Sequence, residues 1–215
     1  YILRVERHLR ANAVYVNRAG HLSIYKNDAF ERLILKPKKY IITSDELKII
    51  NEALHELPQV EFSTPSLTGV GLLGNGEKSV PFLATGIEPQ AEQKIENHPE
   101  VLKWVKELVS TRNKDDAYFT QKDPDEISIT KDLGILIGRS APFSKLSAEQ
   151  KDLQLAGLSY EGDLNAVNAT LQFQHSTGFA LTEDTSLRAP YSLLKSLYQT
   201  DGAASVAVFL DSASS

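Results

Sequence analysis

The chain has 215 residues, of which 41% are apolar and 24% are charged, a composition typical of an ordinary globular protein with a sizeable core. Its net charge of −5 argues against a nucleic-acid partner, because binding to phosphates needs clustered Lys and Arg. The sequence contains no cysteine, which excludes disulfides, thiolate zinc sites and a cysteine nucleophile.

The first residues predict a helix, since Ile2, Val5 and Leu9 share one helical face. No stretch approaches the roughly 20 apolar residues that a membrane helix needs, and the start of the chain does not have the pattern of a signal peptide. The chain begins with Tyr1 and contains no methionine. We therefore expect it to have been cut from a longer protein.

The first third of the chain predicts a β-α-β unit. A strand at 20–25 is followed by a helix at about 44–56, where Thr43 and Glu46 form a capping box. A second strand is expected at Val60–Thr64, interrupted by the proline that follows it.

The last quarter repeats this order, with a strand at Ala166–His175, a helix at about 190–199 and a strand at Ser205–Leu210. Two β-α-β units can pair into one open sheet backed by two helices, and right-handed crossovers favour that topology. The sequence therefore predicts an α+β fold in which the first and last parts of the chain share one lobe.

The middle of the chain, 86–160, predicts an inserted smaller α/β lobe. Pro99 is expected to begin a helix, because proline is tolerated at the first helical position. The alternation in Ile127–Ile129 and the apolar run Leu133–Ile137 are both interpreted as strands, and Gln154–Leu158 is a third candidate strand.

One glycine-rich stretch imitates a phosphate-binding loop. The glycines between Gly71 and Gly76 have the required spacing, but Glu77 stands where that loop needs lysine, and a carboxylate would repel a phosphate. The pair Asn75–Gly76 lies between two apolar segments, which is the usual signal of a hairpin turn. We interpret the stretch as a β-hairpin.

Two other patterns imitate catalytic or metal sites. The segment Gly138–Pro142 begins like the nucleophile elbow of hydrolases, with Ser140 in the place of the nucleophile, but Pro142 replaces the second glycine of that motif. None of the five histidines has a recognisable triad context. The carboxylates at Asp115–Asp116 and Asp123–Glu126 could gather calcium, but they have neither the glycine nor the distal glutamate of an EF-hand. The sequence therefore predicts no catalytic residue, no metal site and no cofactor.

Four segments, taken in chain order, carry a resemblance to a known family. They are Gly20–Phe30 (GHLSIYKNDAF), Ala84–Ile95 (ATGIEPQAEQKI, with Glu92), Asp132–Gly138 and Gly162–Asp211. Together they resemble the extracytoplasmic domain of the MacB-like ABC transporter permeases, the group that includes the FtsX, LolC and LolE types.

The resemblance implies an inner-membrane permease with four transmembrane helices, of which this domain lies between the first and second and faces the periplasm. It also implies the division of the chain. Residues 1–19 would extend the first membrane helix as a stalk, 20–85 and 161–211 would form a porter-like lobe, 86–160 would form the inserted small lobe, and 212–215 would be a tail. The domain would relay ATP-driven movement to export or release of a substrate.

The partners that the resemblance implies are a second permease copy or a homologue, a cytoplasmic ABC ATPase, and a periplasmic adaptor or carrier protein. The isolated domain is expected to be monomeric and not an enzyme. Lipoprotein-releasing members carry a long hook between two strands, whereas Leu158–Asn165 is a short turn here, which disfavours lipoprotein transfer. The cargo stays open.

Two other classes of protein remain compatible with the sequence. One is a free-standing periplasmic ligand-binding protein or secreted enzyme with a cleft between the two lobes. The other is a purely structural assembly domain. Apolar segments of about 20 residues on both sides of the chain in the full gene would favour the permease.

Overall fold

A computed structural model describes residues 2–33, 36–104, 125–139, 145–175 and 184–211. The fold is α+β. The strands are β1 (Leu22–Ile24), β2 (Val60–Gly74), β3 (Ser79–Ile87), β4 (Glu126–Thr130), β5 (Asp152–Leu158), β6 (Leu164–His175), β7 (Ser186–Pro190) and β8 (Ser205–Leu210). The helices are α1 (Ile2–Ala11), which continues into a π-helical segment (Asn12–Val16), α2 (Ala29–Arg32), α3 (Pro37–Tyr40), α4 (Ser44–His55), α5 (Pro89–Glu96), α6 (Pro99–Trp104), α7 (Lys131–Leu136), α8 (Ala148–Lys151) and α9 (Tyr191–Tyr198).

The eight strands form one sheet in the order β1-β8-β2-β3-β7-β4-β6-β5, and β5 also pairs with β2. Six of the strands therefore close into a ring, which we call the strand ring. In order around it they are β2, β3, β7, β4, β6 and β5. Strands β8 and β1 extend the sheet beyond β2. The open sheet predicted from two β-α-β units is thus wrong: the described strands β4 and β5, from the middle of the chain, complete one closed sheet. The division of the chain into two lobes stays a prediction.

The ring closes because β2 is long and glycine-rich. Its first half pairs with β8 and its second half pairs with β3, while Leu72–Gly74 also pair with Gln154–Ala156 of β5. A side chain at Gly71 would lie 2.3 Å from the carbonyl oxygen of Ala156, so glycine permits this close approach. Pro65 does not end the strand, contrary to the prediction, because it sits within the ladder opposite Val206 of β8.

The centre of the ring is apolar. Leu73, Ile127, Leu155, Leu171 and Leu187 come from five different strands, and all five side chains are fully buried. This cluster extends to α9, whose Leu194 packs so closely on β3 that a side chain at Gly86 would meet it at 2.8 Å. Glycine in the Ala84–Ile95 segment therefore serves helix–strand packing.

Helices cover both faces of the sheet around β8. On one face, α4 begins at the predicted capping box, in which Thr43 and Glu46 satisfy each other's backbone N–H groups. Its Leu54 belongs to the same hydrophobic cluster as Leu194 and Leu197 of α9, and both helices contact β2. On the other face lie α1, α5 and α6, in a second cluster that contains Phe209.

One predicted strand is a helix. Residues 133–137 were expected to be extended, but α7 covers Lys131–Leu136. Leu133 and Ile137 are fully buried whereas Ile135 and Leu136 are about half exposed, so burial follows the helical i, i+4 period and not the strand alternation. Four apolar side chains within five residues, with Gly134 between the first two, cannot distinguish these two periods by composition alone.

Most other predicted elements are confirmed. The strands at Ala166–His175, Gln154–Leu158 and Ser205–Leu210 and the helix at 190–199 lie within one or two residues of β6, β5, β8 and α9. The helix predicted to start at Pro99 does start there. Ser140, Pro142, Asp115, Asp116 and Asp123 lie outside the described residues.

Candidate functional site

A group of buried and partly buried polar side chains lies where the N-terminal helix meets the sheet. Six side chains gather there, and we call them the junction cluster: Tyr15, Arg18, His21, Glu61, Glu92 and His98. They come from the π-helical segment, the turn after it, β2, α5 and the link between α5 and α6.

The backbone leading into the cluster is unusual. Helix α1 continues into a π-helical segment, in which Asn17 N–H donates to Asn12 O at 3.0 Å. Arg18 then adopts a left-handed conformation with φ of 56°, although it is neither glycine nor asparagine. Single π turns and left-handed non-glycine residues both cost energy and are concentrated at functional sites. Here they reverse the chain direction between α1 and β1.

Gly20 and His21, which begin the first segment of the family resemblance, fasten β1 to the end of β8. Gly20 has φ of 71°, and a side chain there would lie 2.6 Å from the carbonyl oxygen of Val208. His21 Nδ1 accepts a hydrogen bond from Leu210 N–H at 3.0 Å, so its ring proton is on Nε2. Burial, Arg10 and His98 lower the pKa of His21, which favours this neutral form.

A buried ion pair joins the turn after α1 to α5. The Arg18 guanidinium donates two hydrogen bonds to the Glu92 carboxylate, from Nε to Oε2 at 3.0 Å and from Nη2 to Oε1. Arg18 is 8% exposed and Glu92 is 3% exposed. Burial acts to raise the pKa of Glu92, but the Arg18 charge and hydrogen bonds, with a contribution from Arg188, lower it overall. Both groups are therefore charged at neutral pH.

His98 connects the π-helical segment to β2. Its ring stacks on Tyr15 with centroids 4.3 Å apart, and its Nε2 lies 3.3 Å from Tyr15 Oη and 3.4 Å from Glu61 Oε2. Glu100 N–H donates to His98 Nδ1 at 3.3 Å, which leaves Nε2 as the donor. Burial, together with Glu61 and Glu100, raises the pKa of Tyr15 to about 12, so its hydroxyl stays protonated.

Aromatic and aliphatic side chains lie beneath these polar groups. Tyr15 stacks on Phe209 of β8 at 5.9 Å, and Phe209 stacks on Phe62 of β2 at 4.3 Å. Ala11 and Val14 are buried in the same cluster. The end of the N-terminal helix is thus packed directly on the last strand.

The C-terminal end of α1 and the C-terminal end of β8 consequently lie close together. Asp211 N–H, directly after β8, donates to Gln59 O at 3.0 Å, and Val208 pairs with Leu22 of β1. Ala11, at the end of α1, shares a cluster with Phe209.

A surface groove of about 480 Å³ lies between α4 and β2. Its floor is apolar, from Leu54, Val60 and Phe62, and its rim carries Glu52 and Glu61. His55 also lines it. All of the lining residues fall within the predicted range 20–85, so the groove is not a cleft between the two predicted lobes.

Two of the remaining sequence patterns fall at least partly on described residues. Residues 75–78 form the loop of the predicted hairpin between β2 and β3, in which the Asn75 side chain accepts from Glu77 N–H and Lys78 N–H. Asp125 accepts from the Thr170 hydroxyl at 3.3 Å. Within the part of the chain that the structure describes, no group of three or more His, Asp or Glu could hold a metal ion.

The sequence alone did not single out Arg18, Tyr15 or His98. Glu92 was noticed only as part of the segment that resembles the permeases. A charged residue at the third position after Pro89, in the first turn of a helix, is ordinarily a solvated N-terminal charge. Its burial against an arginine 74 residues away becomes visible only when the fold is known.

The chain is similar to solved structures at low sequence identity. No family profile matches the chain, and no curated protein matches it. Among solved structures, the extracellular domain of the noncanonic ABC-type transporter YknZ from Gram-positive bacteria matches with a TM-score of 0.49 and 16% identity, over 89% of this chain and 83% of that one. The periplasmic region of MacB from Actinobacillus actinomycetemcomitans matches with a TM-score of 0.48 and 13% identity, over 92% and 78%.

The chain is similar to these two transporter domains. One is an extracellular domain and the other is a periplasmic region. No described helix is long and apolar enough to cross a membrane.

Proposed function

We propose that the chain is the extracytoplasmic domain of an ABC transporter permease of the MacB and LolC type, and that it relays ATP-driven movement to the export or release of a substrate. The single observation that supports this function best is the junction cluster. It holds the C-terminal end of the N-terminal helix against the last strand. In a permease whose first membrane helix continues into α1, a displacement of that helix would enter the sheet through this contact.

The contacts of the cluster suit the transmission of movement. The bidentate Arg18–Glu92 pair fixes the orientation of α5 relative to the turn after α1, because two parallel bonds resist rotation where one would not. Tyr15 lies between His98 and Phe209, so a displacement of the π-helical segment pushes on both α6 and β8.

From β8 the displacement can pass to the far end of the fold along β2. The first half of β2 pairs with β8, and its second half belongs to the strand ring. With 15 residues, β2 is about 50 Å long if fully extended. A hydrogen-bonded strand of that length is stiff, so tilting its first half would move the hairpin at 75–78.

In this proposal the working partners are a second permease copy or a homologue and a cytoplasmic ATPase. The domain itself does mechanical work and catalyses no reaction. Screening the domain against nucleotides, esters and peptides checks the second point, since saturable turnover that depends on Ser140 or on a histidine would contradict it.

Membrane topology tests the location. The 215 residues contain no cysteine, so a single cysteine at the exposed Leu164 can be labelled in a full-length protein in which any cysteine outside these residues is replaced by serine. We expect a membrane-impermeant maleimide to label it in intact cells and the protein to stay in the membrane after alkaline washing. Labelling only after lysis of the inner membrane, or release by the wash, would contradict the proposal.

The relay itself is tested by weakening the ion pair in the full transporter. Arg18→Lys keeps the positive charge but cannot make the two parallel hydrogen bonds to Glu92. We expect this variant to lower export while ATP hydrolysis continues. The matched control is Lys38→Arg, in the exposed pair that Lys38 makes with Glu161 at 2.5 Å. Equal export by the two variants, at equal amounts of protein in the membrane, would rule out the relay through Arg18.

A further inference from the structure

The surface groove between α4 and β2 runs along an open edge of the sheet. Residues 60–65 of β2 pair with β8 on one side. On the other side β3 pairs with β2 only from Ser66 onward, so within the described residues 60–65 have no neighbouring strand there. Successive residues of a strand direct their N–H and C=O groups to opposite sides, so part of this backbone has no strand partner.

Helix α4 forms the other wall of the groove. Its Leu54 contributes to the apolar floor, and its Asn51 Oδ1 accepts a hydrogen bond from the Ser63 hydroxyl of β2 at 3.5 Å. The volume of about 480 Å³ lies in the range of ligand-binding pockets. A trough between a helix and an open strand edge suits an extended peptide that adds to the sheet as a further strand, with main-chain hydrogen bonds for affinity and side-chain pockets for specificity.

The rim of the groove is acidic. The described residues that line it include two exposed carboxylates, Glu52 and Glu61, and neither lysine nor arginine. The Lys94 ammonium, 5.2 Å from the Phe62 ring, belongs to α5 and does not line the groove. Glu61 lies at the bulge of β2, where the register with β8 shifts between Val60 and Phe62. A charge on an open edge deters uncharged strands from adding there, so a strand that does add needs a compensating cation.

We propose that this groove binds an extended segment of a partner protein, which adds to β2 beside residues 60–65 and presents a Lys or Arg side chain to Glu52 and Glu61. The open edge requires an extended backbone, the floor of Leu54 and Val60 accepts an aliphatic side chain, and the acidic rim selects a basic one. The inference rests on the groove alone and does not depend on the proposed function.

Two features of β2 limit the length of the added strand. Pro65 has no N–H to donate, and the bulge at Glu61 interrupts the regular spacing of the backbone groups. The same two features are common on protected edge strands, where they prevent long uncharged strands from pairing. The partner segment is therefore short, and its cation is an essential part of recognition.

Glu61 also connects the groove to the junction cluster. Its Oε2 lies 3.4 Å from His98 Nε2, and the His98 ring stacks on Tyr15. A cation bound at Glu61 changes the electric field at His98. The ring resonances of His98 in an NMR spectrum therefore report occupancy of this groove and distinguish it from binding elsewhere on the chain.

Peptide binding to the 215-residue chain tests the proposal. The probes are acetylated hexapeptide amides of alternating Val and Thr in which a single Lys takes each position in turn, each matched by a peptide with Glu in place of Lys. We expect at least one Lys peptide to bind about tenfold more tightly than its Glu counterpart and to shift the ring resonances of His98. Equal affinity within every matched pair, or no binding at millimolar peptide, would overturn the proposal.

Two variants locate the binding. Glu61→Gln removes one charge from the rim, and the matched control Glu56→Gln removes one charge from an exposed position that does not line the groove. Melting temperatures check that both variants fold. We expect Glu61→Gln to lose the preference for the Lys peptide and Glu56→Gln to keep it. Equal effects of the two variants would show attraction to the overall negative charge of the chain and would contradict a site in the groove.

N-methylated peptides test the addition of a strand. The Lys peptide that binds most tightly is made in two forms, with N-methyl groups at its odd or at its even positions. Because a strand directs alternate N–H groups to its neighbour, one form should lose binding and the other should keep it. Retention by both forms would rule out strand addition. Dimers of the chain that the peptide dissociates would assign the groove to a second copy and would equally overturn the proposal.

Discussion

The junction cluster and the centre of the strand ring both contain fully or nearly fully buried side chains, but they are built from opposite chemistry. The ring centre consists of aliphatic side chains such as Leu155 and Leu171, which need no particular orientation to be stable. The junction contains a charged pair and a histidine stacked on tyrosine, each of which works only in one geometry. The contrast teaches that two kinds of interaction stabilise the fold in separate places: apolar packing in the ring, and directional ionic and hydrogen-bonded contacts in the junction, which also fix the angle of the N-terminal helix.

The largest effect expected from breaking the junction comes from Glu92→Ala. It leaves the Arg18 guanidinium buried without its carboxylate, and loss of one partner of such a pair costs about 3–5 kcal/mol. Urea unfolding measures the change. Glu161→Ala, which removes the partner of the exposed Lys38, serves as the control and should change stability very little. Similar values for the two variants would show that the Arg18–Glu92 pair is not structural.

The ring centre is tested by Leu171→Ala, which should cost about 2–5 kcal/mol because it opens a cavity in a fully buried cluster. Unlike the Glu92 variant, it should leave the local geometry of the junction unchanged, since neither cluster contains residues of the other. Near-ultraviolet circular dichroism and urea unfolding together check this separation. Loss of the Tyr15 signal in folded Leu171→Ala protein would argue that the two regions are one unit.

These two regions also differ in how well the sequence predicts them. The capping box at Thr43 and the strands at 166–175 and 205–210 were predicted because helix caps and apolar periods are local signals. The closed ring was not predicted, because the pairing of Leu72 with Ala156 joins distant segments whose approach depends on Gly71. The Arg18–Glu92 pair was missed for the same reason.

A smaller effect distinguishes the stability cost of a steric clash from the cost of a left-handed backbone conformation. Gly20 and Gly162 both have positive φ, but a side chain would be 2.6 Å from Val208 O at Gly20 and would meet nothing within 4 Å at Gly162. Gly20→Ala should therefore cost about 1–3 kcal/mol more than Gly162→Ala, which has only the conformational penalty. Thermal unfolding of the two variants gives the difference. Equal melting temperatures would show that β1 and β8 can separate at Gly20 without cost.

The smallest expected effect is a pH dependence. The pKa of His21 is lowered in the folded state, so the unfolded chain binds the proton first as pH falls. The stability that neutral His21 provides is complete above about pH 6.5 and is lost as pH falls through the lowered value. His21→Asn keeps an acceptor for Leu210 N–H but cannot titrate, so its unfolding midpoint should vary less between about pH 7 and about pH 5. An unfolding midpoint that varies with pH in His21→Asn as it does in wild type would show that His21 does not cause the pH dependence of stability.

The central claim is that the junction couples α5 to the end of β8, and native-state hydrogen exchange with Glu92→Gln tests it most directly. Leu210 N–H is held by His21 and has no hydrogen bond to Glu92. If the junction acts as one unit, the substitution should accelerate exchange at Leu210, at Gly20 and within α5 by a common factor, while Leu155 and Leu187 in the ring exchange as in wild type. Faster exchange confined to α5, with Leu210 unchanged, would contradict the coupling.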